Sequence, residues 1–309
     1  MELRQLRTFL AIAELGSFSK AASMLGVAQP ALSRQLRLLE DELGARLLYR
    51  HGRGASLTEA GKRFRDRIEP ALNEIEQARG EAMNQAGAVT GAVSVAMPPS
   101  FSAAIGSRLT ADLLRRRPGL QLHILEGFTG HIAEWLVAGR IDVAIVNSAT
   151  CAPSLSLEPL VDLDLFLATP ANHPGSGPIP IRELANVPLI LPGRHHGARR
   201  EIEAAAQRLG ITLRIVAEVD ALSALGDLVR LGAGATVLPA SALPPDLVST
   251  TRLRRVVEPE LRLHFMLACP TNRPETPASR EVIRALRLQV DEALTEGRLV
   301  GKRSGRPRP

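Results

Sequence analysis

Cysteine is nearly absent from this 309-residue chain: Cys151 and Cys269 are the only two. Two thiols cannot staple a small domain, so a disulfide scaffold is excluded and a reducing compartment is expected. The seven histidines fall into no metal-ligand spacing with those cysteines, which argues against a structural zinc site; no metal is expected. Lysine is scarce too. Only Lys20, Lys62 and Lys302 occur, so nearly all of the 38 basic residues are arginine, and against 32 acidic residues they leave a formal net charge of +6. No apolar run approaches the length, about eighteen residues, that crosses a bilayer. The N-terminus spreads Glu2, Arg4, Arg7 and Glu14 among its apolar residues, where a signal peptide has an unbroken apolar stretch. A cytoplasmic location without membrane contact is expected.

Catalytic motifs are missing as well. There is no G-x-S-x-G, H-E-x-x-H or P-loop. Ser17-x-x-Lys20 matches a serine-nucleophile pattern, but its companion motifs are absent and four residues match often by chance. Gly232-Ala233-Gly234 lacks the third glycine of a dinucleotide fingerprint. Neither an enzyme nor a cofactor is expected. Hydrophobic residues at 45% and charged residues at 23% are ordinary globular values, which excludes wholesale disorder, and the length suits about two domains.

What is present is a pattern that changes near residue 91. Residues 1–57 read as an all-α winged helix-turn-helix. Leu3, Leu6, Leu10 and Ala13 recur at helical spacing up to Gly16, and a short second helix follows Ser17, with Ser19 and Lys20 in its first turn. Gln29-Pro30 opens a third helix, striped by Leu32, Leu36, Leu39 and Leu43. ARLLYRHGRGASL, with glycines at 52 and 54, has hairpin chemistry. A helix that enters a major groove needs hydrogen-bonding side chains and little bulk in its first turns. Gln29, Pro30, Ala31, Ser33, Arg34 and Arg37 meet that need, and Arg50 and Arg53 on the hairpin suit phosphates or a minor groove. Residues 1–65 hold eleven Lys or Arg against six acids, a net of +5. The plainer reading of this segment is a small helical domain with a solvated basic face. Ser56-x-x-Glu59, or Thr58, caps a long linker helix over 58–88. Its stripe of Phe64, Ile68, Leu72, Ile75 and Ala82 is spaced like a coiled-coil seam and predicts subunit pairing; Pro70 predicts a kink or joint.

Strands and helices alternate from residue 91 to 297, which predicts a mainly parallel α/β sheet in two subdomains, 91–159 with 268–297 and 160–267. Open α/β sheets bind ligands beyond the carboxyl ends of their strands, beside helix N-termini. Pro99, Ser100, Phe101 and Ser102 follow the first strand, Thr129 opens a helix after the second, and Asn147 follows the third. Arg194, His195 and His196 precede a helix in the other subdomain and offer positive charge. Ser100, Ser102 and Thr129 also suit plain helix caps, and the two histidines also suit a solvated loop. The basic tail 298–309 has little to bury and is expected to be disordered.

The first 65 residues resemble the N-terminal domain of the LysR-type transcriptional regulators. They match FxxxxExGSFxxAAxxLxxxQPALSRQxxxLExxLGxxLxxR and then LTxAG. One departure is Ala28, where the family often has a capping serine; a cap weaker by about 1 kcal/mol is expected. LLRRRPGLQLHILEG, LVAGRIDVAIV and LVRLGAGATVLP resemble the family's effector-binding domain, which has a periplasmic-binding-protein-like fold of two subdomains. Together the resemblance covers nearly the whole chain apart from the tail. It implies a homo-oligomer, dimer or tetramer, bound to an interrupted inverted repeat in double-stranded DNA, with one winged helix per half-site. It also implies RNA polymerase as a partner and a small, anionic effector in the cleft that changes the spacing of the DNA-binding domains. Ser100 and Thr129 match positions that hydrogen-bond the inducer in members recognising small carboxylates, whereas the carry-over to Arg194, His195 and His196 is looser because that loop varies in length. A solute-binding protein of a transporter is the rival for the second fold, but it has no use for a fused DNA-binding domain.

Overall fold

The computed structural model describes residues 1–52, 54–83, 89–147, 153–243 and 250–305. The chain forms two compact units, the first built on Met1–Arg79 and the second on most residues from Gly80 onward.

The first unit packs α1 (Leu3–Leu15), α2 (Phe18–Met24) and α3 (Gln29–Leu43) against a hairpin of β1 (Leu48–His51) and β2 (Gly54–Leu57), followed by α4 (Glu59–Met83). Leu32, Leu36 and Leu39 of α3 are fully buried with Phe9 and Ile12 of α1, as the spacing of the leucines requires. A capping box between Glu2 and Gln5 starts α1, a signal not noticed in the sequence. Ser17 caps α2 by accepting from the Lys20 amide, and Ala28 leaves α3 without a side-chain cap. Ser56 lies within β2, so the start of α4 falls to Thr58: its hydroxyl accepts from the Gly61 amide at 2.9 Å and donates to the Arg46 carbonyl at 2.7 Å.

The apolar stripe of α4 packs in part on its own unit. The Phe64 and Phe9 rings meet tilted with centroids 5.5 Å apart, Ile68 packs against the same core, and Leu72 is buried in it. Leu72 is covered by its own chain, whereas Phe64 and Ile68 stay half-buried. A heptad-like spacing only requires that something cover the stripe, and the helical domain covers part of it. Ile75 is exposed, whereas the side chain of Ala82 and residues 84–88 lie outside the described residues.

The second unit is a mixed sheet rather than a mainly parallel one. β3 (Gly91–Met97) pairs parallel with β4 (Leu120–Glu126) and β5 (Val143–Asn147), and β8 (Leu189–Leu191) pairs parallel with β9 (Ile215–Glu218). Antiparallel pairs join these halves. The 16-residue β6 (Leu155–Pro170) runs beside β12 (Arg262–Pro270) and then β11 (Thr251–Val257). The boundaries expected at 159/160 and 267/268 fall inside β6 and β12, so the halves share strands instead of meeting at linkers. A bulge between Phe265 and Met266 marks the crossing. Helices cover the sheet: a run from α5 (Pro99–Phe101) through a π-helical stretch at Ser102–Gly106 into α6 (Ser107–Arg116), then α7 (Thr129–Val137), α8 (Gly197–Arg208), α9 (Leu222–Arg230) and α10 (Pro277–Thr295). β7 (Ile179–Pro180) pairs with β11, and β10 (Thr236–Pro239) pairs with β6.

The tail is a second correction. Leu299 is buried, and β13 (Gly301–Arg303) pairs antiparallel with β6. The unpaired edge of β6 offers main-chain partners that composition does not reveal. Residues 306–309 lie outside the described residues.

In the first unit, a Cβ on Gly61 would stand 2.0 Å from the Leu47 carbonyl oxygen, a main-chain atom that cannot swing aside. Gly61→Ala is expected to destabilise the helical domain by about 1–3 kcal/mol, the usual cost of overpacking. Chemical denaturation of the full chain, followed by helical circular dichroism, checks it. An unchanged first transition contradicts the close approach.

Candidate functional site

Two surfaces carry chemistry. On the first unit, burial of Leu32, Leu36 and Leu39 turns the opposite face of α3 outward. Gln29, Pro30, Ala31, Arg34 and Arg37 are exposed and Ser33 is half-buried. Ser19 and Lys20, also exposed, stand at the start of α2, and the Ser19 hydroxyl donates to Gln29 Oε1 at 3.2 Å. The turn between the helices thereby presents one polar surface. Arg50 projects from β1 as an exposed residue, with its guanidinium held 4.3 Å over the Phe18 ring. Arg53 lies outside the described residues.

In the second unit a recess of about 430 Å³, its open mouth included, lies where strands hand over to helices. One wall brings together Pro98, Pro99 and Ser100 after β3, Phe128 and Thr129 after β4, and Asn147 at the end of β5. The other wall brings His196 and Gly197 at the start of α8, Leu222 at the start of α9, and Pro239 and Ala242 after β10. Leu263 and Phe265 of β12 complete the lining. Ser100, Thr129 and Asn147 are buried, and the Asn147 amide donates to the Thr129 hydroxyl at 3.2 Å. The walls touch: a Cβ on Gly197 would stand 2.5 Å from Asn147 Nδ2, so a larger residue at this helix start would displace the Asn147 amide.

Of the nine residues expected here, Pro99, Ser100, Thr129, Asn147 and His196 line the recess. The other four do not. Phe101 is fully buried and meets the Phe265 ring edge-on at 4.7 Å, so it supports the lining from behind. Ser102 begins the π-helical stretch. The Arg194 side chain is 79% exposed and lies 3.5 Å from Glu203, away from the recess. His195 Nε2 lies 3.5 Å from Asp220, and its ring meets Phe128 at 5.5 Å.

The expected positive charge is also absent from His196. Its Nδ1 accepts from the Ala198 amide at 3.3 Å, capping α8, and its ring meets Phe128 at 5.3 Å. Burial, and then the neighbouring His195, lower its pKa from 6.5 to about 4, with Asp220 opposing. The neutral ring therefore carries its proton on Nε2 and serves as a donor. Among the described residues, no Lys, Arg, Asp or Glu lines the recess. Phe128, Leu222, Pro239, Ala242, Leu263 and Phe265 were missed in the sequence. Phe128 had a signal, since it directly precedes Thr129, whereas the others reach the recess only through tertiary placement.

Among the described residues no group of His, Cys, Asp and Glu suits a metal. Burial raises the Cys269 thiol to about 12, which leaves it unreactive, and Cys151 lies outside the described residues. No described helix is long and apolar enough to cross a membrane.

Residues 3–62 match the family profile described as bacterial regulatory helix-turn-helix protein, lysR family, and residues 86–291 match LysR substrate binding domain. The chain is 29% identical over 291 residues to the nitrogen assimilation regulatory protein nac of Klebsiella aerogenes, covering 93% of this chain and 95% of that one. It is 31% identical over 287 residues to the uncharacterized HTH-type transcriptional regulator YnfL of Escherichia coli K12, covering 91% and 96%. The crystal structure of full-length CbnR complexed with its target DNA is similar at a TM-score of 0.69 and 26% identity, covering 95% of this chain and all (100%) of that one.

The neutral His196 has a pH signature. Its pKa falls on folding from 6.5 to about 4, so between these values the unfolded chain binds more protons. Its contribution is complete above pH 6.5 and is lost as pH falls towards 4, with an upper bound of about 3 kcal/mol. Thermal unfolding between pH 7 and 4.5 is expected to show a falling midpoint, and His196→Asn to flatten that slope. An identical slope in the variant assigns the dependence to other groups.

Proposed function

The chain belongs to the LysR family of bacterial transcriptional regulators, and from that premise we propose how its two units divide the work. It is a DNA-binding regulator with an effector-binding domain. We assign base reading to the exposed face of α3, with Arg34 bidentate to guanine and Gln29 reading adenine, and with Pro30, Ala31 and Ser33 keeping the approach close. Ser19, Lys20, Arg37, Arg50 and Arg53 hold phosphates. Two copies occupy the half-sites of an interrupted inverted repeat in double-stranded DNA, in a cytoplasmic homo-oligomer that acts on RNA polymerase at the promoter and needs no cofactor. The DNA in the CbnR structure supports the first part of this reading.

The effector occupies the recess in the second unit. The observation that carries this is the convergence of helix starts after β3, after β4 and at α8 on the uncharged groups Ser100, Thr129, Asn147 and His196. Free amides and helix dipoles there favour one anionic head group without any cation. The remaining lining is Pro98, Pro99, Phe128, Leu222, Pro239, Ala242, Leu263 and Phe265, all apolar. The effector is therefore a compact, apolar or aromatic molecule with a single carboxylate. A polyanion finds no counter-charge among the described lining residues. Binding draws the two walls together and changes the spacing of the DNA-binding domains.

Trp135 is the only tryptophan, and its ring packs 3.0 Å from where a Gly127 Cβ would stand, next to Phe128. Its fluorescence is expected to respond to the effector in a titration of the full chain with small carboxylates, aromatic acids and amino acids. Ser100→Ala and Thr129→Ala are each expected to weaken binding roughly tenfold or more, because a hydrogen bond to a charged group contributes about 1.5–3 kcal/mol. Unchanged affinity in both variants moves the effector elsewhere.

On the DNA side, Arg34→Ala is expected to lose about 1–3 kcal/mol of sequence discrimination. Lys20→Ala is expected to weaken all sequences evenly and to lower the salt dependence. Quantitative footprinting at several salt concentrations checks both. An Arg34→Ala protein with intact preference refutes the base-reading role.

A further inference from the structure

The segment after α10 docks where its composition gives no reason to dock. Gly297 takes a left-handed conformation at φ 73°, and the Leu299 amide donates back to the Ala293 carbonyl at 3.0 Å, so the chain reverses. The Arg298 guanidinium then donates to the main-chain carbonyl of Ala104, while its Nε bonds Glu296 at 2.7 Å. Ala104 lies in the π-helical stretch Ser102–Gly106, where the wider turn takes carbonyls out of the ordinary i→i+4 ladder. Arg298 supplies a donor from outside that ladder. The same helical run begins with the turn that carries Ser100 into the recess.

Three residues later the tail reaches the crossing strand. Gly301–Arg303 pairs with Val161–Leu163 of β6, and the Asp164 amide donates to the Val300 carbonyl at 3.0 Å. The Ser304 hydroxyl donates to Asp162 Oδ1 at 2.5 Å, the oxygen that also meets His264 Nδ1 at 2.8 Å. These β6 residues stand beside the bulge at Phe265 and Met266, since Val161 pairs with Phe265. A Cβ on Gly301 would lie 2.0 Å from the Asp162 carbonyl oxygen and 2.9 Å from Leu163 Cα. Only glycine lets the strand come this close.

We propose that Arg298–Ser304 is a brace on the effector recess, with Arg298 positioning the helical turn of Ser100 through the Ala104 carbonyl and β13 stiffening the crossing strand beside its bulge. Docking of the tail then regulates how freely the two walls open. This regulatory meaning rests on the recess being the effector site, but the mechanical coupling does not, so it is measured without any ligand. Local opening is governed by the contacts a segment must break, and amide exchange reads that directly.

Hydrogen–deuterium exchange on the full chain compares Arg298→Ala, Arg298→Lys and Gly301→Val with the wild type. In Arg298→Ala, amides 102–107 are expected to exchange at least tenfold faster, with Arg298→Lys restoring most of the protection because it keeps a donor. In Gly301→Val, amides 161–165 are expected to accelerate by a similar factor. α8, in the opposite wall, is expected to stay unchanged in all three. Wild-type protection at 102–107 and 161–165 overturns the brace, and so does acceleration spread evenly through α8, which marks general destabilisation. If exchange changes as expected while Trp135 responds to no small acid, the brace stands and the effector reading fails.

Discussion

The second unit depends on one constraint: a buried strand must find a partner for every main-chain donor and acceptor along its length. β6 has sixteen residues, which at a strand's rise spans roughly 50 Å, more than one small sheet can accompany. It therefore belongs to both halves. β12 and β11 follow it in succession on one side, with β13 and β10 pairing on it as well. Because β6 and β12 cross together, the recess forms at their crossing. The bulge at Phe265 and Met266 sits there, and Phe265 itself lines the recess. The ligand site and the place where the halves can bend are thus the same few residues.

Charge is divided between the units in a way that suits their tasks. The first unit places arginines on an exposed face, where phosphate attraction acts through water and falls with salt. Among the described residues the recess of the second unit holds no charged side chain, and its histidine is kept neutral by burial. A buried cation without a partner is costly, whereas main-chain amides at helix starts bring positive potential without that penalty. Much of the remaining arginine is structural. Arg252 and Arg254 hold the carbonyls of Ala171, Gly175, Gly177 and Pro178, and Arg116, Arg117 and Arg284 surround the buried Glu281.

Patterns that depend on near neighbours were legible. Helix periods, the glycine stops at 16 and 44, and the hairpin around residues 52–54 all lie within a few residues of their cause, and the structure has helices and a hairpin there. Patterns that depend on what covers a surface were not. The stripe Phe64, Ile68, Leu72 demanded burial, but its spacing cannot distinguish a partner subunit from the chain's own core. Likewise β11, rich in arginine, has no apolar alternation to mark it as a strand, since its side chains are half-buried and hold a loop.

By itself the sequence determined the helix-turn-helix, the exposed polar face of α3, the alternating strands and helices, and the strand ends that carry Ser100, Thr129 and Asn147. Each follows from local periodicity or from residue chemistry at a turn, which tertiary packing did not overrule. Only the tertiary structure decided that Arg194 turns away, that His196 is a neutral cap, that Phe101 supports from behind, and that the tail is a strand. Those outcomes depend on burial and on close approaches between distant segments, such as Gly197 on the Asn147 side chain and Gly301 on the Asp162 main chain. No run of neighbouring residues contains that information, because the partners are brought together by the long crossing strands.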